Sequence, residues 1–212
     1  MSHAEPRTHP LWRPFELPDD EEIARARVGG RATRPIAVVD PDPAWPEAFA
    51  RVRDRVVLAL GPVALSVTHI GSTAVPGLAA KDFLDLDLIV PDSSDEASYL
   101  PALESVGFEL RVREPEWEEH RVLHHTDPVT NLHVFPPGAR EPRRHVLFRD
   151  WLRGHPDDRD AYAAHKRAVA AQGFTDGMHY NNAKAAFVYD LYEKIFAADP
   201  AHAHDPHPRQ RG

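Results

Sequence analysis

Between Phe49 and Leu60 the apolar residues Phe49, Val52, Val56 and Leu60 fall three or four apart, which predicts an amphipathic helix. Pro43, Trp45 and Pro46 open it and Gly61-Pro62 ends it. The pattern then shortens. Val63 to Ile70 and Phe83 to Val90 have strand length, and in the second run Leu84, Leu86 and Leu88 alternate with Asp85 and Asp87. Side chains alternate across a strand, so the leucines are expected to face a core and the two aspartates to share the other face. Ile36 to Val39 reads as a further short strand. Asp95 to Val106 reads as a helix ended by Gly107, and Phe108 to Val112, Arg121 to Thr126 and Leu132 to Phe135 as strands. Helices over about 141–153, 157–171 and 180–197 follow, the last with Phe187, Leu191 and Ile195 on one stripe. Mixed strands and a helical C-terminal half predict an α+β fold with a mixed sheet.

Two flanks lack this patterning. Residues 1–34, rich in Pro, Arg, Glu and Asp, read as an N-terminal extension with one short helix from Asp19 to Arg27, which Trp12 and Phe15 could dock onto the body. Residues 199–212 read as a disordered tail whose histidines are assigned no role. The domain proper is therefore expected over 35–198. No internal repeat is visible.

Composition narrows the function classes. The 212 residues suffice for one domain with a hydrophobic core, and a formal net charge of −8 argues against a nucleic-acid partner held by general electrostatics. A small anionic substrate stays open where basic residues cluster. The chain has no cysteine, which excludes disulfides and thiolate chemistry. No apolar run approaches membrane-spanning length, and Met1-Ser2-His3-Ala4-Glu5-Pro6 lacks the charged start and apolar middle of a signal peptide, so a cytoplasmic protein without a membrane partner is expected.

The chemistry concentrates in His69-Ile70-Gly71-Ser72-Thr73-Ala74-Val75-Pro76-Gly77-Leu78, then Lys81 and the Asp85/Asp87 strand. Gly71 allows a sharp turn and close approach of backbone to a ligand. Ser72 adds a hydroxyl and a further N–H, and such a turn can hold phosphate. Carboxylates in an apolar strand are costly if buried unpaired, and a cation would offset that cost; magnesium favours a few carboxylates together with phosphate oxygens. His133, in the strand Asn131-Leu132-His133-Val134-Phe135, could join them as ligand, proton acceptor or, protonated, phosphate contact. His124 and His125 are adjacent and point to opposite faces. Lys81, the stripe His145, Arg149 and Arg153, and Lys166 and Lys184 on the next helices supply positive charge; Arg153 reads as a solvated member of that stripe.

These residues resemble the GrpB family over about Ile36 to Phe196. The likeness is carried by Val39-Asp40-Pro41-Asp42-Pro43-Ala44-Trp45-Pro46, by the ungapped run His69 to Lys81, and by Leu132-His133-Val134. Phe148-Arg149-Asp150-Trp151-Leu152-Arg153, Pro156, Tyr162, Lys166, Tyr180, Lys184 and Phe187 extend it. That family resembles a branch of the nucleotidyltransferase superfamily with the DNA polymerase β-type fold, whose pattern is a Gly-Ser turn, an Asp-x-Asp strand and a third carboxylate on a later strand. The resemblance implies that Gly71, Ser72 and Thr73 bind phosphates of an NTP with help from Lys81, Arg149, Lys166 and Lys184. It implies further that Asp85, Asp87 and His133 hold Mg2+ or Mn2+ and are catalytic. His133 stands where the superfamily uses a carboxylate, and histidine suits magnesium poorly. Where relatives read Lys-Pro-Ile-Ile-Asp-Ile, this chain has Lys81-Asp82-Phe83-Leu84-Asp85-Leu86 and then Asp87. Some relatives are fused to dephospho-CoA kinase, which implies a coenzyme A link for the family.

Three expectations follow. The leading one is metal-dependent transfer of NMP from an NTP to a small-molecule acceptor. The second is a nucleotide-binding or regulatory module without turnover. The third is a transition-metal hydrolase built on His69, His124 or His125, and His133, although no HExxH spacing supports it. The acceptor, the base preference and the oligomeric state are not encoded in any pattern found.

Overall fold

The alternation in the aspartate strand decides which side of the molecule is core. In the computed structural model, which describes residues 6–29 and 35–209, Leu84, Leu86 and Leu88 are buried on one face of β2 (Leu84–Ile89). Residues 1–5, 30–34 and 210–212, the start of the extension, its last part and the end of the tail, lie outside the described residues. Around β2 a five-stranded sheet forms from β1 (Ser66–Ile70), β3 (Glu109–Glu114), β4 (His120–Thr126) and β5 (Val129–Phe135), in the order β1-β2-β5-β4-β3. Only β2 and β5 run parallel; the other neighbours are antiparallel. The fold is α+β with a mixed sheet.

The leucine face packs on α2 (Trp45–Leu60) and α3 (Leu100–Ser105), where Val52, Val56, Leu60 and Leu103 meet Leu86, Leu88, Leu123 and Leu132. α4 (Arg140–Gly154), α5 (Pro156–Ala170) and α6 (Gly177–Ala198) make a second core, in which Leu152, Tyr162, Leu191 and Phe196 enclose Val75, Leu78 and Ala79 just after the Gly-Ser turn. The aspartates thus lie between a rigid strand and a helical layer. The short α1 (Asp20–Ala26) is closed by a reciprocal cap between Asp19 and Glu22.

Several boundaries differ from the sequence reading. Ile36 to Val39 is not a strand; Val39 makes one isolated bridge to Ala80, and Pro41 and Pro43 limit what could follow. The expected 95–106 helix is split into a 3-10 turn, Glu96–Ser98, and α3, whose Pro101 fits a helix's first turn but not its interior. Gly61–Val63 is a 3-10 turn, so β1 starts only at Ser66. α6 begins at Gly177 because Asp176 caps the N–H groups of Met178 and His179. The stretch expected to be disordered is placed through residue 209. There Arg7 pairs with Asp205, His204 with Glu193 and Arg209 with Asp190, while Trp12 bonds Glu193 and Phe15 meets Tyr189 edge-on. No helix among the described residues is long and apolar enough to cross a membrane.

Candidate phosphate and cation site

The Gly-Ser turn is pressed against the aspartate strand. Gly71 has φ +69°, and a Cβ at that position would lie 2.7 Å from Asp85 Oδ2. Glycine is needed both for the angle and for the space. Ser72–Ala74 then form a 3-10 turn. From α5, Lys166 Nζ donates to Ser72 Oγ at 2.8 Å and to the Ala79 carbonyl. Arg149 donates to the His69 carbonyl at 2.8 Å and is paired with Asp150. Arg153 is solvent-exposed, as its place on the stripe predicts, and it also donates twice to the Ala74 carbonyl, at 2.7 and 3.1 Å, and so clamps the turn. Thr73 is buried, with its hydroxyl 3.0 Å from His69 Nε2, so its side chain supports the turn from beneath.

Positive charge gathers on one side. Lys81 and Lys184 lie 5.2 and 4.6 Å from the centre of the Tyr180 ring, and Lys166 lies 4.6 Å from that of Tyr162. Burial, then the neighbouring Lys184, lowers Lys166 to about 6. Burial lowers Lys184 to about 8, and Asp85 offsets part of that. The Tyr180 hydroxyl is buried without a hydrogen-bond partner among the described residues. Desolvated lysines, whose charged form an anion favours, beside an orphaned hydroxyl are the electrostatic complement of an anion.

The parallel pairing of β2 and β5 sets Asp85 opposite Asn131 and Asp87 opposite His133, so all four side chains share the face away from the leucines. Asn131 Nδ2 donates to Asp85 Oδ1 at 2.9 Å. His133 Nε2 stands 4.0 Å from the same oxygen, too far for a hydrogen bond. Burial raises the Asp85 carboxyl, but His133, then Lys81 and Asn131, more than offset this and hold it at about 2. It is an ionised carboxylate at neutral pH. Asp87 is buried and already engaged: His145 Nδ1, from α4, lies 3.0 and 3.1 Å from its two oxygens. Burial works against the charged form of His145, yet Asp87 and Glu141 outweigh it and raise its pKa. A cleft of about 450 Å³ opens beside Asp87, lined by Thr68 and Ile89 of the sheet and Arg143, Val146 and Leu147 of α4.

The donor set therefore fits one divalent cation in part. Asp85 and His133 face each other as oxygen and nitrogen donors, whereas Asp87 could join only by giving up His145. Among the described residues, Asp85, Asp87 and His133 do not bring three ligand atoms within 4.8 Å of one another. His120 and Glu114 are residues the sequence reading missed, and His145 it read only as a member of the basic stripe, not as the partner of Asp87. His145 carried one usable signal, its place one turn before Arg149 on the basic stripe. Glu114 and His120 carried none, because only strand register brings them to His133: His120 Nε2 lies 3.0 Å from His133 Nδ1, and His120 Nδ1 lies 2.7 Å from Glu114.

The hydrolase set is not assembled. His69 pairs in register with Leu86 and stacks on Phe49 at 4.6 Å, on the core side of the sheet. His125 points to that side too, against Phe108, and only His124 shares the face of His133. The group that does bring three ligand atoms within 4.8 Å is His9, Asp199 and His202, remote in sequence from the site. There His9 Nδ1 accepts the Leu11 N–H at 3.0 Å, which leaves the ring proton on Nε2, 3.0 Å from Asp199. That nitrogen is a donor, and the group reads as a hydrogen-bonded strap.

A mixed sheet whose edge turn, Gly71-Ser72, abuts an aspartate strand and faces buried lysines defines the class. The chain belongs to the GrpB family: the family model described as GrpB protein matches residues 35–194. It is 45% identical over 180 residues to a UPF0157 protein of Halalkalibacterium halodurans, covering 84% of this chain and 92% of that one. It is 29% identical over 224 residues to a dephospho-CoA kinase of Mycobacterium tuberculosis, covering 92% of this chain and 54% of that protein. Among solved structures, the conserved protein GrpB from Enterococcus faecalis superposes with TM-score 0.64 at 27% identity, over 73% of this chain and 96% of that one.

Proposed function

We propose that this GrpB chain binds a nucleoside triphosphate at the Gly71-Ser72 turn and transfers its nucleotidyl group to a small-molecule acceptor. The observation that carries the reading is the buried Lys166 bonded to a turn that abuts the ionised Asp85, with the half-buried Lys184 close enough to interact with that carboxylate. The turn offers backbone N–H groups and Ser72 Oγ to phosphate oxygens, and Lys81, Lys166 and Lys184 neutralise them. Arg149 and Arg153 fix the turn's carbonyls, so it is organised before the ligand arrives. Asp85 and His133 would hold Mg2+ or Mn2+. Such an ion neutralises triphosphate charge and lowers the pKa of a bound hydroxyl. The nitrogen donor favours manganese over magnesium. The acceptor would sit in the cleft beside Asp87, where its oxygen forms the new bond to the α-phosphorus as the bridge to the β-phosphate breaks. Asp87, released from His145, takes the acceptor's proton and pyrophosphate leaves.

The test is incubation of the protein with labelled NTPs, Mn2+ or Mg2+ and a pool of small hydroxyl and amine acceptors. Pyrophosphate release that disappears in Asp85→Asn is the expected result. A second reading has its own observation: Asp87 is occupied by His145, and a histidine replaces the third carboxylate. On that reading the chain is a nucleotide-binding regulatory module. Similarity to proteins named dephospho-CoA kinase, of whose length the match spans about half, supports a link with coenzyme A metabolism on that reading. Metal-independent nucleotide binding without pyrophosphate release selects it. Both readings place the protein among soluble partners of small molecules, in the cytoplasm, with neither membrane nor nucleic acid involved.

A further inference from the structure

Four side chains cross one face of the sheet from β3 to β2: Glu114, His120, His133 and Asp85. Their separations are 2.7 Å from Glu114 Oε2 to His120 Nδ1, 3.0 Å from His120 Nε2 to His133 Nδ1, and 4.0 Å from His133 Nε2 to Asp85 Oδ1. The direction of each bond follows from the end of the row. An ionised glutamate only accepts, so His120 Nδ1 carries a proton. His120 is buried, stacked on Phe135 at 4.6 Å with Trp117 edge-on at 4.8 Å, which fixes the ring's orientation. A neutral imidazole with its proton on Nδ1 has a lone pair on Nε2, which accepts, so His133 Nδ1 donates. The neutral His133 ring therefore has a bare Nε2, and that lone pair faces the Asp85 carboxylate.

Two acceptors do not face each other without a donor or a cation between them, and a metal ion is one such group. We propose that Glu114 and His120 are positioning residues, which hold His133 in the Nδ1–H form and so keep its Nε2 available as a cation ligand opposite Asp85. This extends the arrangement in which a metal-bound histidine donates its other N–H to an acceptor that fixes its tautomer. It rests on the reading of Asp85 and His133 as a cation site, but its first test does not.

That test is a long-range 15N–1H correlation spectrum of the histidine rings in metal-free, nucleotide-free protein in mildly alkaline buffer. His120 and His133 should both show the Nδ1–H tautomer. An Nε2–H signature for His133 overturns the proposal, whatever the protein catalyses. His120→Phe keeps the ring stack and removes the acceptor, so His133 should lose its Nδ1–H preference. Mn2+ affinity, read by titration calorimetry, should fall about ten-fold or more. Glu114→Gln retains an acceptor oxygen and should preserve the tautomer, whereas Glu114→Ala should not. A His133 tautomer unmoved by both His120→Phe and Glu114→Ala also overturns it. If the tautomers are as stated but no pyrophosphate is released, the positioning row stands and the transferase reading fails.

Discussion

Two histidine–aspartate groups in this molecule look alike in composition and differ in the direction of their protons. In the strap between the flanks, His9 Nε2 and His202 Nδ1 lie 3.0 and 2.8 Å from Asp199 Oδ2. At the sheet, His133 Nε2 lies 4.0 Å from Asp85. The difference originates one residue further back. His9 Nδ1 accepts a hydrogen bond from the Leu11 N–H, so its ring proton is on the other nitrogen; in the proposed row His133 Nδ1 donates to His120, so its other nitrogen is a lone pair. One group closes into hydrogen bonds and holds the chain's ends. The other stays open and can take a cation. Proximity of ligand-type side chains alone selects the strap, whereas the direction of the hydrogen bonds selects the sheet.

The largest effect expected from breaking this comparison is on turnover. Asp85→Asn removes the carboxylate that faces His133 and should lower pyrophosphate release by at least ~100-fold, the scale seen when a directed electrostatic contact to the reacting group is lost. Asp199→Asn should leave that rate unchanged. Comparable losses in both variants would show that the two groups are not functionally distinct.

Next is the turn that brings phosphate to Asp85. Gly71→Ala places a methyl against Asp85 Oδ2 in a left-handed backbone. It should destabilise the fold by about 1–3 kcal/mol in urea unfolding, because the turn cannot withdraw from the strand without losing its clamps. A neutral outcome would mean that the close approach is dispensable.

Two pH effects are smaller and of known sign. Free Lys166, lowered to about 6 by burial and by Lys184, is largely neutral in neutral solution. A bound polyphosphate favours its charged form, so pyrophosphate binding should take up a proton and weaken as pH rises. Calorimetry in buffers of different ionisation enthalpy reads this directly, and Lys166→Met should abolish the uptake. The second effect is on stability. Burial lowers both His69 and His120 to about 4 from the ordinary 6.5. The unfolded chain gains those protons first as pH falls, so stability is full above 6.5 and is lost toward 4. His120→Phe should flatten part of that slope in denaturant titrations across the window.

The strand with Asp85 and Asp87, the turn before it and the two later lysines were legible because each is local: alternation, a small-residue turn and helical spacing lie within a few residues. His133 was legible as a residue, but its partner on β2 required parallel register. Glu114 and His120 were not legible at all, since they are joined by the β3–β4 pairing and reach His133 only across a third strand. The solvated position of Arg153 was legible, but its contact was hidden for a related reason: the Ala74 carbonyl it clamps belongs to a turn far away in sequence. The order of the 199–209 stretch was hidden likewise, since its contacts are with Arg7, His9 and α6 rather than with neighbours.

The smallest expected effect sharpens the other half of the comparison. Asp199 is held at about 2, first by His202, then by the Ala201 amide and His9, and it is solvent-facing, so its loss should cost little global stability. Its role is local. His9 is buried against Phe196 with ring centres 4.4 Å apart, and Asp199 keeps that ring oriented so that Nδ1 accepts from Leu11. Asp199→Asn can still accept one of the two ring protons, while Asp199→Ala accepts neither. The segment from Arg7 to Arg13 should therefore become more sensitive to limited trypsin digestion in Asp199→Ala than in Asp199→Asn. The His133 tautomer should be the same in both. Added Zn2+ should not restore protection in the wild type's place, because the His9 nitrogen facing Asp199 carries a proton and not a lone pair; restoration by zinc would make the strap a metal site after all.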